Sequence, residues 1–215
     1  ALVFKESKYM HFNATKTFRV FGMQRSGNHA IINWMSRNAG LQDLAFFNNL
    51  RPGDVLKVAN DIDIAGTRHI LKQKSDTERA EILEAASRAK TLIVSYENKP
   101  IRRGLKSRDF TQLGNTPINW VNVSVNRSFL NWLASYVSLA QRKSGAKTPP
   151  HYSPLGIAAM VREYVDFLSI RGGKAAITID YDRWVVDAGY RARRLKALGL
   201  EVVDNSIGER QVYGK

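Results

Sequence analysis

Residues 18–29 of the chain read FRVFGMQRSGNH, an apolar run followed by a turn between two glycines. The run predicts a buried strand over residues 18–23. The residues after the turn predict a helix because apolar side chains recur at helical spacing. That stripe is Ile31, Trp34, Met35 and Ala39, and Gly40 ends it. Gly22 and Gly27 have the spacing of a phosphate-binding loop, in which backbone N–H groups point into one hollow and the helix dipole adds positive potential. The sequence therefore predicts an anion-binding loop.

This loop lacks two residues that nucleotide triphosphatases need. Asn28 and His29 stand where those proteins carry Lys and Ser or Thr. Without the Lys nothing at that position reaches the β- and γ-phosphates, and without the hydroxyl the usual Mg²⁺ ligand is missing. Arg25, inside the loop, supplies a fixed positive charge instead. We therefore expect the loop to bind an anion but to be poorly suited to ATP hydrolysis.

Strands and helices alternate along the rest of the chain. Strands are predicted at residues 91–96, 121–125 and 175–179, with a final edge strand at 202–203. Helices are predicted from Ser75 with a capping box to Glu78, from Ser128, from Ser153 to Gly172, and over 184–198. This alternation predicts a three-layer α/β/α fold with a mostly parallel central sheet, whose ligands bind at the carboxyl ends of the strands. We expect a single domain over residues 1–215, with an N-terminal extension at 1–16 and a C-terminal tail at 205–215.

The composition narrows the class of protein. Of the 215 residues 44% are hydrophobic, which predicts a globular core. Cysteine is absent, which excludes disulfides, thiolate metal sites and a cysteine nucleophile and fits a cytoplasmic protein. We expect no membrane-spanning segment, because no apolar run of about 18 residues occurs, and no signal peptide, because residues 1–20 carry charges throughout and lack an apolar block. The net charge of +14 predicts anionic partners. The basic cluster from Lys99 to Arg108 lacks the aromatic residues that stack bases, so nucleic acid is not the expected partner.

Two more strand ends carry residues suited to chemistry. Arg127 follows the strand at 121–125 at the start of a helix, and Ser135 lies about 12 Å further along that helix axis. The two could hold one phosphate between them. Glu97 follows the strand at 91–96, where it is either a base whose pKa is raised by burial or a surface residue paired with Lys99 or Arg102.

Three further polar residues are weaker candidates. His69 is an alternative candidate for the base, and it lies in a region of the sequence that has no clear secondary-structure pattern. Asp61 and Asp63 alternate as metal ligands can, but no third ligand lies near them in the sequence. We therefore interpret them as polar residues of a strand or turn and predict no metal site.

Several of these residues resemble the sulfotransferase family that uses 3′-phosphoadenosine 5′-phosphosulfate (PAPS) as sulfuryl donor. The likeness lies in Arg25-Ser26-Gly27 after the first strand, in Arg127 followed by Ser135, and in Asp180-Tyr181-Asp182 after the strand at 175–179. In the family the first loop reads Lys/Arg-Ser-Gly-Thr-Thr and cradles the 5′-phosphosulfate. The Arg-x₇-Ser pair binds the 3′-phosphate, and the Tyr of a Tyr-Glu-Asp stretch contacts the adenine.

The resemblance implies a role for each matching residue. The residues implied to bind PAPS are Arg25, Ser26, Gly27, Asn28, His29, Arg127, Ser135 and Tyr181. Glu97 aligns with the catalytic base, Arg25 would neutralise the leaving oxygen, and His29 is the reserve base. The implied product is adenosine 3′,5′-bisphosphate (PAP), and no metal is implied. We expect a hydroxyl-bearing acceptor, polar or acidic and glycan-like, because the loops at 99–108 and 143–150 are polar and basic.

The sequence departs from the family pattern in three places. Asn28 and His29 replace two threonines, so an amide and an imidazole would take over hydroxyl contacts to phosphate. Ala30 stands where many members have a Trp against the adenine. The Gly-rich basic stretch that closes over the 3′-phosphate is represented at most by residues 208–210 and 214–215.

Two other functions stay open at the level of sequence. The first is a kinase-like P-loop phosphotransferase that uses ATP, in which Asp180 would bind Mg²⁺. The missing Lys argues against it. The second is a basic nucleic-acid-binding module, resting on the net charge and on Arg191, Arg193, Arg194 and Lys196 of the last helix. Because helices of this kind often present a basic solvated face, it ranks last.

Overall fold

The computed structural model of the protein describes residues 12–50, 61–99, 119–145, 148–169 and 176–208. The strands in these ranges are β1 (Lys16–Gly22), β2 (Leu44–Asn48), β3 (Asp61–Ile64), β4 (Thr67–His69), β5 (Thr91–Glu97), β6 (Val121–Asn126) and β7 (Ile177–Asp180). The helices are α1 (Asn28–Ala39), α2 (Asp76–Ser87), α3 (Phe129–Lys143), α4 (Pro154–Ser169), α5 (Tyr181–Val186) and α6 (Ala188–Ala197). None of the helices in the described ranges has both the length and the apolarity needed to cross a bilayer.

All the described strands form one sheet in the order β4-β3-β2-β5-β1-β6-β7. Neighbouring strands pair in parallel across one side of the sheet, in the order β2-β5-β1-β6-β7. At the other edge β3 and β4 form a hairpin and pair antiparallel, and β3 is also antiparallel to β2. Apolar residues of α2, α3 and α4 form a core on one face of the sheet, and those of α1, α5 and α6 form a core on the other. The predicted α/β fold with a mostly parallel central sheet and helices on both faces is confirmed.

The strand that opens the phosphate-loop motif lies in the interior of the sheet, between β5 and β6. Its side chains alternate between the two cores: Phe18 and Val20 enter the core with α1, whereas Phe21 enters the opposite one. Because parallel strands end at the same edge, this position brings the turn after β1 beside the ends of β5 and β6.

Two helix starts show different capping. At α2 the Ser75 hydroxyl accepts from the Glu78 N–H at 3.3 Å and a Glu78 carboxylate oxygen accepts from the Ser75 N–H at 2.7 Å, so the predicted capping box is confirmed. At α3 Ser128 is the N-cap residue, as predicted, but its side chain makes no capping hydrogen bond. A carboxylate oxygen of Asp182 accepts from the Ser128 N–H at 2.7 Å instead, and it comes from the next strand end along the sheet.

Other predicted boundaries need correction. The single helix expected over 184–198 is two helices, because Asp187 is extended and its carboxylate caps α6 by accepting from the Tyr190 N–H at 2.7 Å. The hairpin β3–β4 and the strand β2 were not predicted. The predicted helix end at Gly172 and strand start at 175 lie outside the described residues, in which α4 extends to Ser169 and β7 begins at Ile177.

The expected edge strand at Val202 and Val203 is also wrong, because that segment is held by a side chain and not by a strand. The buried Asn38 amide accepts from the N–H groups of Val203 and Asp204, and donates to the carbonyls of Trp34 and Asp204. The donor–acceptor distances are 2.8–2.9 Å. The side chain of Asn38, at the end of α1, thus makes the backbone hydrogen bonds that a neighbouring strand would otherwise make.

Replacing this amide should loosen the C-terminal segment. We predict that Asn38→Ala lowers the free energy of unfolding by about 2 kcal/mol, because buried polar groups lose their partners. Urea denaturation measures the change, and Glu201→Ala, an exposed position on the same segment, is the matched control. Equal stabilities of the two variants would contradict the assignment.

Candidate active site

The turn between β1 and α1 depends on both of its glycines. Its backbone is left-handed at Arg25, with φ 72°, and at Gly27, with φ 99°. A Cβ on Gly22 would lie 1.9 Å from the Oδ1 of Asn28, and a Cβ on Gly27 would lie 2.1 Å from the ring of Tyr181. Neither position has room for a larger residue, so the glycine spacing of the motif follows from close packing.

Two polar side chains of the motif point into the turn. Ser26 and Asn28 are both buried, and the Ser26 hydroxyl lies 2.7 Å from the Met23 carbonyl oxygen and 3.0 Å from the Asn28 Oδ1. The Asn28 amide donates to the same carbonyl at 3.3 Å. These side chains stabilise the turn from within, and the expected contact of the Asn28 amide with phosphate stays a prediction. The N–H groups in the first turn of α1 have no acceptor within the helix, so they are available to bind an anion.

Residues from three parts of the chain meet at this turn. An Nη of Arg127 donates to the Arg25 carbonyl at 3.1 Å, and the Nε of Arg25 donates to the Ser135 hydroxyl at 3.1 Å. The guanidinium carbon of Arg127 lies 5.1 Å from the ring centroid of Tyr181, whose ring packs on Gly27. Arg25, Gly27, Arg127, Ser135 and Tyr181, all singled out from the sequence, are therefore brought together.

Asp182 is a member of this cluster whose part was not predicted. Its carboxylate accepts from the Ser128 N–H and from the Asn131 amide at 3.0 Å, and lies 3.8 Å from the Nε of Arg127. Burial by itself would raise the pKa of Asp182, but the hydrogen bonds from Ser128 outweigh it and hold the pKa below its ordinary value. Asp182 is therefore ionised at neutral pH and fixes both the start of α3 and the side chain of Arg127. Its position next to Tyr181 was visible in the sequence, but its contact across 54 residues was not.

Neighbouring elements hold the turn from outside. The Asn98 Oδ1 accepts from the Gln24 N–H at 2.7 Å, and the indole N–H of Trp132 donates to the Gln24 carbonyl at 2.8 Å. The Tyr164 hydroxyl donates to the Arg127 carbonyl. Because these partners come from the end of β5, from α3 and from α4, the turn is supported on several sides. None of these roles was predicted, since each depends on contacts distant in sequence.

Glu97 and His29 form a second cluster beside the turn. The Nε2 of His29 lies 3.9 Å from a Glu97 carboxylate oxygen. Burial raises the pKa of Glu97, an effect that the positive charge of Arg25 partly offsets. Burial lowers the pKa of His29, so the imidazole is neutral at pH 7. The pairing of Glu97 with Lys99 that the sequence left open is not observed, because the Lys99 ammonium donates to the Leu50 carbonyl at 2.6 Å. Arg102 lies outside the described residues.

The remaining candidates lie elsewhere. His69 is at the end of β4, the edge strand of the sheet, and pairs with Ile62. Asp61 and Asp63 are residues of β3, as the strand interpretation proposed. Among the described residues no group of three or more His, Asp or Glu side chains is arranged to hold a metal ion. Residues 100–108 of the basic cluster and most of the possible 3′-phosphate stretch, 209–215, lie outside the described residues.

A matched pair of variants distinguishes the contribution of close packing at Gly27 to stability from that of its backbone conformation. Gly27→Ala introduces both an unfavourable φ and a clash with Tyr181, whereas Gly40→Ala has a similar φ of 88° and nothing within 4 Å of the new Cβ. We predict that Gly27→Ala lowers the free energy of unfolding by about 1–3 kcal/mol more than Gly40→Ala, the usual cost of overpacking. Chemical denaturation measures both variants, and equal losses would contradict the contact with Tyr181.

Comparisons with known proteins give a distant structural likeness. No protein-family model and no curated protein sequence matches the chain. Among solved structures, the fold is similar to that of the mouse sulfotransferase SULT7A1 complexed with PAP, with 12% sequence identity and a TM-score of 0.45. The match covers 94% of this chain and 64% of that one, so this chain spans less than two thirds of the length of its structural neighbour.

Proposed function

We propose that the protein is a PAPS-dependent sulfotransferase, which transfers a sulfuryl group from PAPS to a hydroxyl acceptor and releases PAP. The observation that carries the proposal is the meeting of Arg127, Ser135 and Arg25 at a glycine turn that lacks the P-loop Lys. Two guanidinium groups and a helix N-terminus at one place favour a ligand with more than one anionic group. PAPS has such groups at both ends of its adenosine.

Each part of the donor has a candidate partner. The N–H groups of residues 27–29 and the guanidinium of Arg25 would hold the 5′-phosphosulfate, whereas the Ser26 N–H already donates to the Met23 carbonyl at 3.0 Å. Arg127 with Ser135 would hold the 3′-phosphate. Tyr181 would contact the adenine. The Arg25–Ser135 hydrogen bond supports the proposal that the subsites for the 5′-phosphosulfate and the 3′-phosphate adjoin. Bound PAPS would then compete with this hydrogen bond for the Arg25 guanidinium and the Ser135 hydroxyl.

The proposed reaction is an in-line substitution at sulfur. The acceptor oxygen forms a bond to sulfur, while the bond from sulfur to the oxygen of the 5′-phosphate breaks and its electron pair leaves with PAP. The acceptor proton passes to the Glu97 carboxylate, and Arg25 neutralises charge on the departing oxygen. A raised pKa suits Glu97 to accept a proton near neutral pH, and the neutral imidazole of His29 beside it can relay that proton.

The two competing functions have weaker support. For an ATP-dependent phosphotransferase the Mg²⁺ ligand would be Asp180, but its carboxylate caps α5 by accepting from the Arg183 N–H at 3.0 Å. For a nucleic-acid module the last helix would need its arginines on the surface. Arg191 is instead buried and donates to the carbonyls of Trp184 and Asn205 at 2.7 Å, whereas Arg193 and Lys196 are exposed, so only part of this basic set is on the surface.

The 3′-phosphate assignment makes a prediction about nucleotide selectivity. We expect Arg127→Ala to weaken PAP binding by about 10- to 100-fold, the value of a hydrogen bond between charged groups, and to leave adenosine 5′-monophosphate nearly unaffected. Calorimetric titration measures both dissociation constants. Arg193→Ala, an exposed arginine near Asp187, is the control and should change neither. Equal losses for the two nucleotides would contradict the assignment.

The assignment of Glu97 predicts both activity and its pH dependence. Glu97→Gln should reduce sulfuryl transfer from ³⁵S-labelled PAPS by about 10²- to 10⁴-fold, the usual contribution of a general base, with the dissociation constant for PAP unchanged. In the unaltered protein activity should fall as the pH decreases through the pKa of Glu97, which burial raises above its ordinary value, because only the ionised carboxylate accepts a proton.

Glu84→Gln, at an exposed position that pairs with Arg88, is the matched control and should retain full activity. Retained turnover in Glu97→Gln, or loss of PAP binding in that variant, would contradict the role of Glu97 as base. Absence of sulfuryl transfer from PAPS to any pool of glycans, lipids or phenols would contradict the proposed function itself.

A further inference from the structure

A small pocket lies next to Glu97, on the face of the sheet that α1 covers. It has a volume of about 80 Å³ and is lined by His29, Phe46, Asn48, Asp61, Asp63 and Arg68. The imidazole of His29 joins the pocket to Glu97, since it lines the one and lies 3.9 Å from the other. A group seated in the pocket would therefore be close to the proposed proton acceptor.

The register of the strands accounts for this lining. Phe46 of β2 is opposite Asp63 of β3, which is opposite Arg68 of β4, and Asn48 is opposite Asp61. Residues paired in this way project from the same face, so one row of side chains crosses the sheet. The hairpin that sets the register has its turn closed by Asp63, whose carboxylate accepts from the Gly66 N–H at 2.9 Å.

The row continues toward the turn through β5. Phe46 is opposite Ile93, so Ser95 and Glu97, at alternate positions after Ile93, project from the same face. The Ser95 hydroxyl lies 3.3 Å from the Oδ1 of Asn48. Pocket and proposed base are thus parts of one continuous surface at the carboxyl ends of β2 and β5.

The pocket is acidic in a strongly basic protein. Asp61 is buried and forms an ion pair with Arg68, whose Nε donates to the Asp61 carboxylate at 3.0 Å. Asp63 adds a second carboxylate, and His29 is neutral at pH 7. Among the described lining residues, two carboxylates against one guanidinium leave a net charge of −1, whereas the whole chain carries +14. An anionic group entering the pocket would meet repulsion there, in contrast to the turn at Arg25.

We propose that this pocket is the acceptor subsite and that the acceptor unit seated in it is uncharged and rich in hydroxyl groups, such as a sugar ring that bears neither sulfate nor carboxylate. The inference rests on the proposed function. Hydroxyl groups can donate to the Asp63 carboxylate and accept from the amide of Asn48, while Phe46 offers an apolar contact to carbon-bound hydrogens. A flat phenol would leave these polar groups unsatisfied, which costs affinity.

The acceptor proposed from the pocket is polar, as expected from the sequence, but uncharged and not acidic. The sequence favoured a polar or acidic acceptor because of basic loops, most of which lie outside the described residues. The carboxylates of β3 favour the polar character and oppose the acidic one. The anionic donor would then enter a cationic region, and the acceptor would carry no charge for the acidic pocket to repel.

The test compares three acceptor pools in the ³⁵S transfer assay with the full chain. The pools are uncharged oligosaccharides, oligosaccharides that bear uronate and sulfate, and simple phenols. We expect preferred transfer to the uncharged pool. Asp63→Asn should raise the KM for that pool about tenfold, the loss of a hydrogen bond to a charged group, with the dissociation constant for PAP unchanged. Asp63→Lys should shift the preference toward the acidic pool.

Asp43→Asn, an exposed position that pairs with Lys90, is the control and should change neither KM nor preference. The inference is overturned by preference for the acidic or phenolic pool, by an unchanged KM in Asp63→Asn, or by the absence of transfer to the uncharged pool from a protein that binds PAP. Failure of the protein to bind PAP overturns the proposed function instead, so the two failures are distinguishable.

Discussion

The close approach of other elements to the backbone of the β1–α1 turn is the constraint on which the rest of the site depends. The ring of Tyr181 packs on Gly27 where even one Cβ would clash, and Arg127 donates to the carbonyl of Arg25. These contacts connect the ends of β1, β6 and β7, which are neighbours in the sheet. The turn is left-handed at Arg25, a conformation that costs roughly 1–3 kcal/mol and persists only when the surroundings enforce it. Here the surrounding hydrogen bonds to Gln24 and Arg25 do so.

Cationic and acidic side chains lie at different positions along the carboxyl-terminal edge of the sheet. Arg25 and Arg127 lie at the ends of β1 and β6, with the Asp182 carboxylate beside Arg127. Two carboxylates lie on β3, on the other side of β5, with Arg68 paired to one of them. Glu97 at the end of β5 is between these two regions, and burial keeps its pKa raised although Arg25 is near. A proton acceptor at the boundary between a cationic and an acidic region fits a transfer from an anionic donor to an uncharged hydroxyl, because neither substrate has to enter a region of its own charge.

The sequence was sufficient for the fold class and for the glycine turn, because these depend on local patterns, whereas Arg127, Ser135 and Tyr181 were singled out with the help of the family resemblance. Glycine spacing, an apolar strand and a helical stripe identify the turn, and the register of β1 then fixes its place. Features that depend on long-range contacts were not predictable in this way. Asp182 accepts from the N–H of Ser128, the N-cap of α3, from 54 residues away, and Asn38 holds the segment that was expected to be a strand. The hairpin of β3 and β4 was missed because its alternating aspartates do not have the apolar run of a buried strand.

The most direct test of the account is the thermal stabilisation of the protein by nucleotides, measured with EDTA and with Mg²⁺. Adjoining cationic subsites at the turn predict that PAP raises the Tm strongly and equally under both conditions, and that ATP has little effect under either. Stabilisation by ATP that requires Mg²⁺, together with no response to PAP, would contradict the account and favour a phosphotransferase.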